Sequence, residues 1–166
     1  YLIAEYNTFS GNIPKAIQFL QMTYDLDPNP FVGGKLIAAK AYAGKLEEAV
    51  IDAKKMSLLY PKSAVLHFMY GQMLAKTGQY KQAVSELQKA ISLEKNREEY
   101  YIELATIHSL NKNLVDAKLI LEELLKEQPL SLKGWLFLAK LRLLSNQKNE
   151  AVFAARMAYK IQANNP

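Results

Sequence analysis

The chain of 166 residues has no cysteine, so it can form neither disulfides nor thiolate metal sites. That leaves reducing and oxidising compartments, cytoplasmic or periplasmic, both open. No apolar run approaches the roughly 20 residues a bilayer-crossing helix needs, and no basic stub precedes an apolar segment in the manner of a signal peptide. Histidine is scarce: His67 and His108 are the only two, and neither has a partner at metal-ligand spacing. No stretch alternates apolar and polar residues as a half-buried strand would. With half its residues hydrophobic and 22% charged, the chain has enough apolar material to bury a core and too much to be disordered.

Small residues recur at a nearly constant interval. Ala16, Ala49, Ala83, Ala117 and Ala151 form one column spaced by 33, 34, 34 and 34 residues. Gly11, Gly44 and Gly78 stand five residues earlier, where the last two copies carry Lys112 and Asn146. Ile13, Leu46, Tyr80 and Leu114 follow two residues after that column, and Lys148 breaks the series. Pro28, Pro61 and Pro129 stand twelve residues after their alanines. Within each unit the apolar spacing is helical, as in Ala83, Val84, Leu87, Ala90 and Ile91. Glycine or asparagine between two apolar runs suits a left-handed cap, and proline after the second run ends it. Asn12 with Pro14, and Ser63 and Ser131, have the character of helix starts. Each unit is therefore predicted to be two helices and two turns.

These residues resemble the tetratricopeptide repeat, a 34-residue helix-turn-helix unit. The copy from Ala64 to Arg97 carries the pattern most fully, with His67, Tyr70-Gly71, Gly78, Tyr80, Ala83, Leu87 and Ala90. Tyr101, Leu104-Ala105, Leu114, Ala117, Leu121 and Pro129 carry it in the next copy, and Trp135, Leu138-Ala139, Ala151, Ala155 and Ala158 in the last. The resemblance implies an all-α fold, a right-handed α-solenoid of antiparallel helix pairs. One solenoid domain over 1–166 is expected, with repeats at about 1–30, 30–63, 64–97, 98–131 and 132–165. Some columns depart from the pattern: Gly33 stands where a large residue is usual, Thr23, Met56 and Leu124 replace the last small residue, and Lys95 and Ala163 replace the terminal proline. The first copy starts within its first helix, so Leu2, Ile3 and Tyr6 are expected to need covering by helical material upstream in a longer protein. Arg142 and Lys148, in columns that are more often apolar and face a following unit, are expected to mark the last repeat.

No catalytic constellation emerges, so no cofactor or metal is expected and the chain is taken as non-catalytic. Gly33-Gly34-Lys35 has the look of a phosphate loop, but Leu36 replaces its hydroxyl residue and Asn29 its first glycine. The neighbouring acids Glu47-Glu48, Glu98-Glu99 and Glu122-Glu123 point apart on a helix and suit solvated faces. Trp135 occupies a repeat column and is assigned to packing.

The resemblance places ligands on the inner face formed by the first helix of each repeat. Its groove columns project onto Phe31, Gly34 and Ala38; Val65, Phe68 and Gln72; Glu99, Ile102 and Thr106; and Lys133, Leu136 and Lys140. The carboxylate clamp of the chaperone-binding members has no counterpart here: one frame offers Gly34, Ala38, Met69, Glu99 and Glu103, the next Phe68, Gln72, Glu103, Lys133 and Phe137. A largely apolar groove fits a partner protein's extended peptide or amphipathic helix. Flanking helices of the same protein, self-association, and service as the recruiting arm of a larger enzyme are the alternatives. From Leu132 onward six basic residues face the single acid Glu150, so the whole net charge of +5 resides in the last repeat and the remainder is balanced. Six charges in one repeat do not make the long stripe that nucleic-acid backbones require, and no nucleic acid is expected. The basic end is open to an acidic partner segment or an anionic membrane surface.

The alanine column yields a direct test. Ala83→Leu should overpack the helix contact and cost roughly 1 to 3 kcal/mol. A thermal midpoint equal to that of the parent protein would contradict its close-packing role.

Overall fold

The computed structural model describes residues 12–163, and among them every regular element is an α-helix. They group into two compact units, one up to Leu93 and one from Glu94. The first unit contains α1 (Ile13–Leu26), α2 (Pro30–Tyr42), α3 (Leu46–Leu59), α4 (Ala64–Lys76) and α5 (Tyr80–Leu93). The second contains α6 (Glu98–Leu110), α7 (Leu114–Glu127), α8 (Leu132–Leu144) and α9 (Lys148–Ala163). Leu2, Ile3, Tyr6 and Gly11 lie outside the described residues.

Among the described residues four turns join the two helices of a pair, and all are built alike. Gly44 (φ 77°), Gly78 (φ 78°), Lys112 (φ 60°) and Asn146 (φ 57°) occupy the left-handed region in one repeat column. At each, the residue's own N–H and the following N–H donate back to carbonyls of the last helical turn. Gly78 N donates to Ala75 O at 3.0 Å and Gln79 N to Leu74 O at 2.8 Å; Lys112 N and Asn113 N do the same to Ser109 O and His108 O at 3.0 and 2.8 Å. This pair of hydrogen bonds satisfies carbonyls that a helix end leaves unpaired, and it reverses the chain within three residues. The geometry persists where glycine has been replaced, so a lysine is held in a conformation that disfavours a Cβ.

Helix starts follow partly from local chemistry. Asn12, Asn29, Asn113 and Ser131 each accept a backbone N–H of the first turn, whereas Ser63 holds the cap position without such a bond. Helices α1, α3 and α7 stop two residues before Pro28, Pro61 and Pro129. Helix α5 stops at the same register ahead of Lys95, so the proline column reinforces a stop that the chain reversal already imposes.

Packing follows the small-residue columns. Ala16, Ala49, Ala83 and Ala117 are fully buried, and Ala151 nearly so. In α4, a Cβ on Gly71 would come within 3.2 Å of the Ala83 carbonyl oxygen and 2.9 Å of Leu87 Cγ, which measures how closely α4 and α5 approach. Two departures from the repeat pattern compensate each other. The site above Gly33 is filled by the sulfur of Met56, one of the large residues in the small column, with Tyr24 beside it. In the first unit α2 packs on α1, α3 and α4, and α4 on α3 and α5; in the second α7 packs between α6 and α8, and α8 on α9. Lys40, almost buried, is paired with Asp52 and lies 3.8 Å from Glu48, both on the adjoining α3.

Lys112→Gly should relieve part of the roughly 1 to 2 kcal/mol that a side chain costs in left-handed backbone. Against the greater unfolded freedom of glycine, we expect a rise of about 2 °C in the thermal midpoint. A lowered midpoint would mean that the Lys112 side chain contributes more than its backbone costs.

Candidate functional site

The first helix of each pair has one face in the core and one facing out. On α2, Leu36, Ile37 and Val32 are buried while Phe31 is 59% exposed, with Lys35 Nζ 5.7 Å from its ring centre. On α4, Leu66, Tyr70 and Leu74 point inward; Val65 is 40% exposed, and Phe68 and Gln72 are half-buried. Because α2 and α4 pack side by side, Phe31, Ala38, Val65, Phe68 and Gln72 belong to adjoining helices of one unit. Gly34, buried, differs from its neighbours in that column: a Cβ there would meet Met69 Sδ at 3.1 Å, so the glycine admits α4 closely rather than offering a ligand contact.

In the second unit α6 and α8 are the corresponding neighbours. Glu99 is exposed and Ile102 and Thr106 are half-buried, with Thr106 Oγ1 donating to the Ile102 carbonyl at 2.7 Å. Lys133, Leu136 and Lys140 are exposed on α8, Leu136 by 53%. Lys133 Nζ lies 3.8 Å from Glu98 at the start of α6. The second unit thus offers a charged, leucine-bearing face, and the first an aromatic and aliphatic one.

The projected columns stop one turn early. Continuing the i, i+3, i+7 spacing to i+11 reaches Tyr42, Lys76, Leu110 and Leu144, all exposed. Leu143 lies beside Leu144 and is also exposed. The helical period itself points to these positions, since eleven residues bring the side chain back to the same face.

Gly33-Gly34-Lys35 lies inside α2, so its amides are committed to helix bonds and the phosphate-loop likeness is only of letters. Arg142 turns back rather than towards a following unit: its guanidinium reaches Glu122 Oε1 on α7 at 2.9 Å and the Glu150 carbonyl at 3.2 Å. Among the described residues no three His, Asp or Glu side chains converge as a metal site would require, and no helix is long and apolar enough to cross a membrane.

His67 and Trp135 share a repeat column and a job. The Trp135 indole N–H donates to the Pro129 carbonyl at 2.8 Å, and its ring meets Phe153 edge-on at 6.0 Å. His67 Nε2 lies 3.1 Å from the Pro61 carbonyl, and buried Nδ1 is 2.7 Å from Glu86 on α5. A carbonyl only accepts, so Nε2 carries hydrogen. Each ring therefore ties the first helix of a pair to the proline-bearing turn before it. Tyr101, in the same column where Lys95 replaces proline, has a buried hydroxyl with no hydrogen-bond partner among the described residues, and burial raises its pKa.

The family model for Iml2/Tetratricopeptide repeat protein 39 matches residues 8–164. No curated protein sequence matches the chain. Among solved structures, one described as MamA superposes with a TM-score of 0.83 at 20% identity, covering 98% of this chain and 95% of that one. A MamA from Desulfovibrio magneticus RS-1 gives 0.82 at 17% identity, covering 98% and 93%. YrrB, described as a TPR protein with an unusual peptide-binding site, gives 0.72 at 18%, covering 98% and 84%. At these identities the likeness is one of fold, that of an all-α helical repeat solenoid.

A double-mutant cycle on His67→Ala and Glu86→Ala should return a coupling of roughly 1 kcal/mol or more, because their 2.7 Å contact joins two largely buried side chains, even though Lys89 still pairs with Glu86 once His67 is removed. Strict additivity would assign His67 to simple space-filling.

Proposed function

The chain belongs to the Iml2/tetratricopeptide repeat protein 39 family, and from that premise we propose that it is a non-catalytic scaffold that holds a segment of another protein on the outward faces of its first helices. The observation that carries this reading is the exposed apolar side chains on helices whose opposite faces are core: Phe31, Tyr42 and Val65 in the first unit, and Leu110, Leu136 and Leu144 in the second. A buried peptide or helix gains most from such a strip, since each anchor removes apolar area from water and the neighbouring polar groups fix its register. In the first unit Phe68 and Gln72 flank the strip; in the second Glu99, Ile102, Thr106, Lys133 and Lys140 do so. The two faces differ in charge, so a segment held by the first unit is apolar opposite α2 and α4, and one held by the second bears at least one acidic group opposite Lys133 and Lys140. The described peptide binding of YrrB favours the same class of function.

The test uses the full-length protein as bait in extract from its own cells. Val65→Glu with Leu136→Glu, both at exposed positions, should reduce partner capture by about tenfold, or about 1.4 kcal/mol, with helical content unchanged. Phe68→Glu with Ile102→Glu should act likewise. Leu119→Glu, equally exposed but on the second helix α7, should leave capture intact. Loss with Leu119→Glu alone would place the site on the second helices.

A further inference from the structure

The outward positions at the ends of the first helices are bare in every described copy. Tyr42, Lys76, Leu110 and Leu144 share one repeat column, and all four are exposed, although α2, α4 and α6 are each followed in the chain by a further pair. Their openness therefore belongs to the face and not to the end of the chain. In the second unit this column completes a pattern. Along α6 run Ile102, Thr106 and Leu110, and along α8, which packs beside it, run Leu136, Lys140 and Leu144, each 34 positions after its counterpart. The six make three rows: apolar at Ile102 and Leu136, polar at Thr106 and Lys140, apolar again at Leu110 and Leu144. Leu110, Leu136 and Leu144 are each more than half exposed, and Lys140 is exposed without an ion pair among the described residues. The same columns in the first unit hold Gly34, Ala38 and Tyr42 beside Phe68, Gln72 and Lys76, which form no such rows.

We infer that the second unit binds an α-helix of another protein, lying along α6 and α8, that carries a carboxylate with one large apolar residue four positions before it and another four positions after. The inference rests on the scaffold reading and adds the conformation and side-chain pattern of the segment held. Positions four residues apart are separated by about 6 Å along a helix axis, so a helix laid alongside meets all three rows with one ridge of its own. Its carboxylate then falls opposite the Lys140 ammonium, and its apolar residues fall on the leucines to either side. An extended segment is disfavoured by its backbone, whose N–H groups need acceptors: the rows offer only the Thr106 hydroxyl, whose hydrogen already goes to the Ile102 carbonyl at 2.7 Å. A helix has its backbone paired internally and asks for none. Glu99, exposed at the start of α6, sets this face apart from one suited to an anionic membrane surface. A second copy of this chain lacks the pattern, since no described helix bears an acid with large apolar residues both four positions before and four positions after it.

The probe is a phage-displayed library in which one stripe of a stable single helix is randomised, panned against the full-length protein, with enriched clones remade as synthetic peptides for fluorescence anisotropy. Clones with Asp or Glu flanked by apolar residues at four-residue spacing should dominate. Lys140→Glu should weaken their binding by about tenfold, and Leu110→Glu should do likewise. A clone remade with Lys at the central position should bind the Lys140→Glu variant better than the parent protein, a reversal that a merely misfolded variant cannot show. Proline at the centre of a clone should abolish binding. No enrichment of the pattern, binding indifferent to Lys140, or binding that survives proline would overturn the inference. So would slow maleimide labelling of Leu110→Cys in the free full-length protein, which would give the face to a helix of its own chain, or a concentration-dependent mass abolished by Lys140→Glu, which would give it to a second copy. Capture from extract separates this inference from the reading beneath it. If Val65→Glu with Leu136→Glu abolishes capture while no helical clone binds, the scaffold reading stands and this inference falls; capture indifferent to that pair removes the scaffold reading itself.

Discussion

Everything in each unit depends on two helices coming close enough to share one line of contact, and alanine is what permits it. Ala49, Ala83, Ala117 and Ala151 are buried at one position of the second helices, and at Ala83 the first helix comes so near that a Cβ on Gly71 would lie 3.2 Å from its carbonyl oxygen. Larger residues there would push the pair apart and loosen the packing of buried neighbours such as Leu87. The left-handed turn complements this contact by reversing the chain in a fixed number of residues, so the second helix starts in the same register in every copy. Turn and alanine column together make the pair a repeating part, and stacking supplies the core that no single pair could bury.

Most of this was legible in the chain because both devices leave period marks. A 34-residue spacing of small residues needs no side-chain detail to be seen, and the helices begin in step with it. The outliers were harder. Nothing in a linear pattern says that Met56 fills the space above Gly33, since the two belong to different columns and different helices. Lys112 and Asn146 adopt the glycine conformation because the returning N–H bonds and the helix contact together outweigh the cost of a Cβ, which a residue-by-residue preference does not register. Arg142 is a similar case: its column marks it as facing onward, whereas Glu122 on the preceding helix captures it.

The proposed interaction faces are legible only in outline. The i, i+3, i+7 columns identify the outward stripe of each first helix, yet they assign Gly34 to a surface when its role is to let Met69 approach, and they stop short of Tyr42, Lys76, Leu110 and Leu144. Charge was more informative than hydrophobicity. The concentration of positive charge from Leu132 onward separates a neutral array from a basic last pair. A repeat protein that keeps its packing columns constant while varying the residues between them can carry several distinct surfaces on one scaffold.

The scaffold account is tested most directly by hydrogen exchange on the full-length protein, compared before and after it is loaded with its captured partner. Slowed exchange concentrated in the first helices, at 30–42, 64–76, 98–110 and 132–144, is the predicted result. Protection confined to the second helices at 46–59, 80–93 and 114–127, with the first helices unchanged, would contradict it.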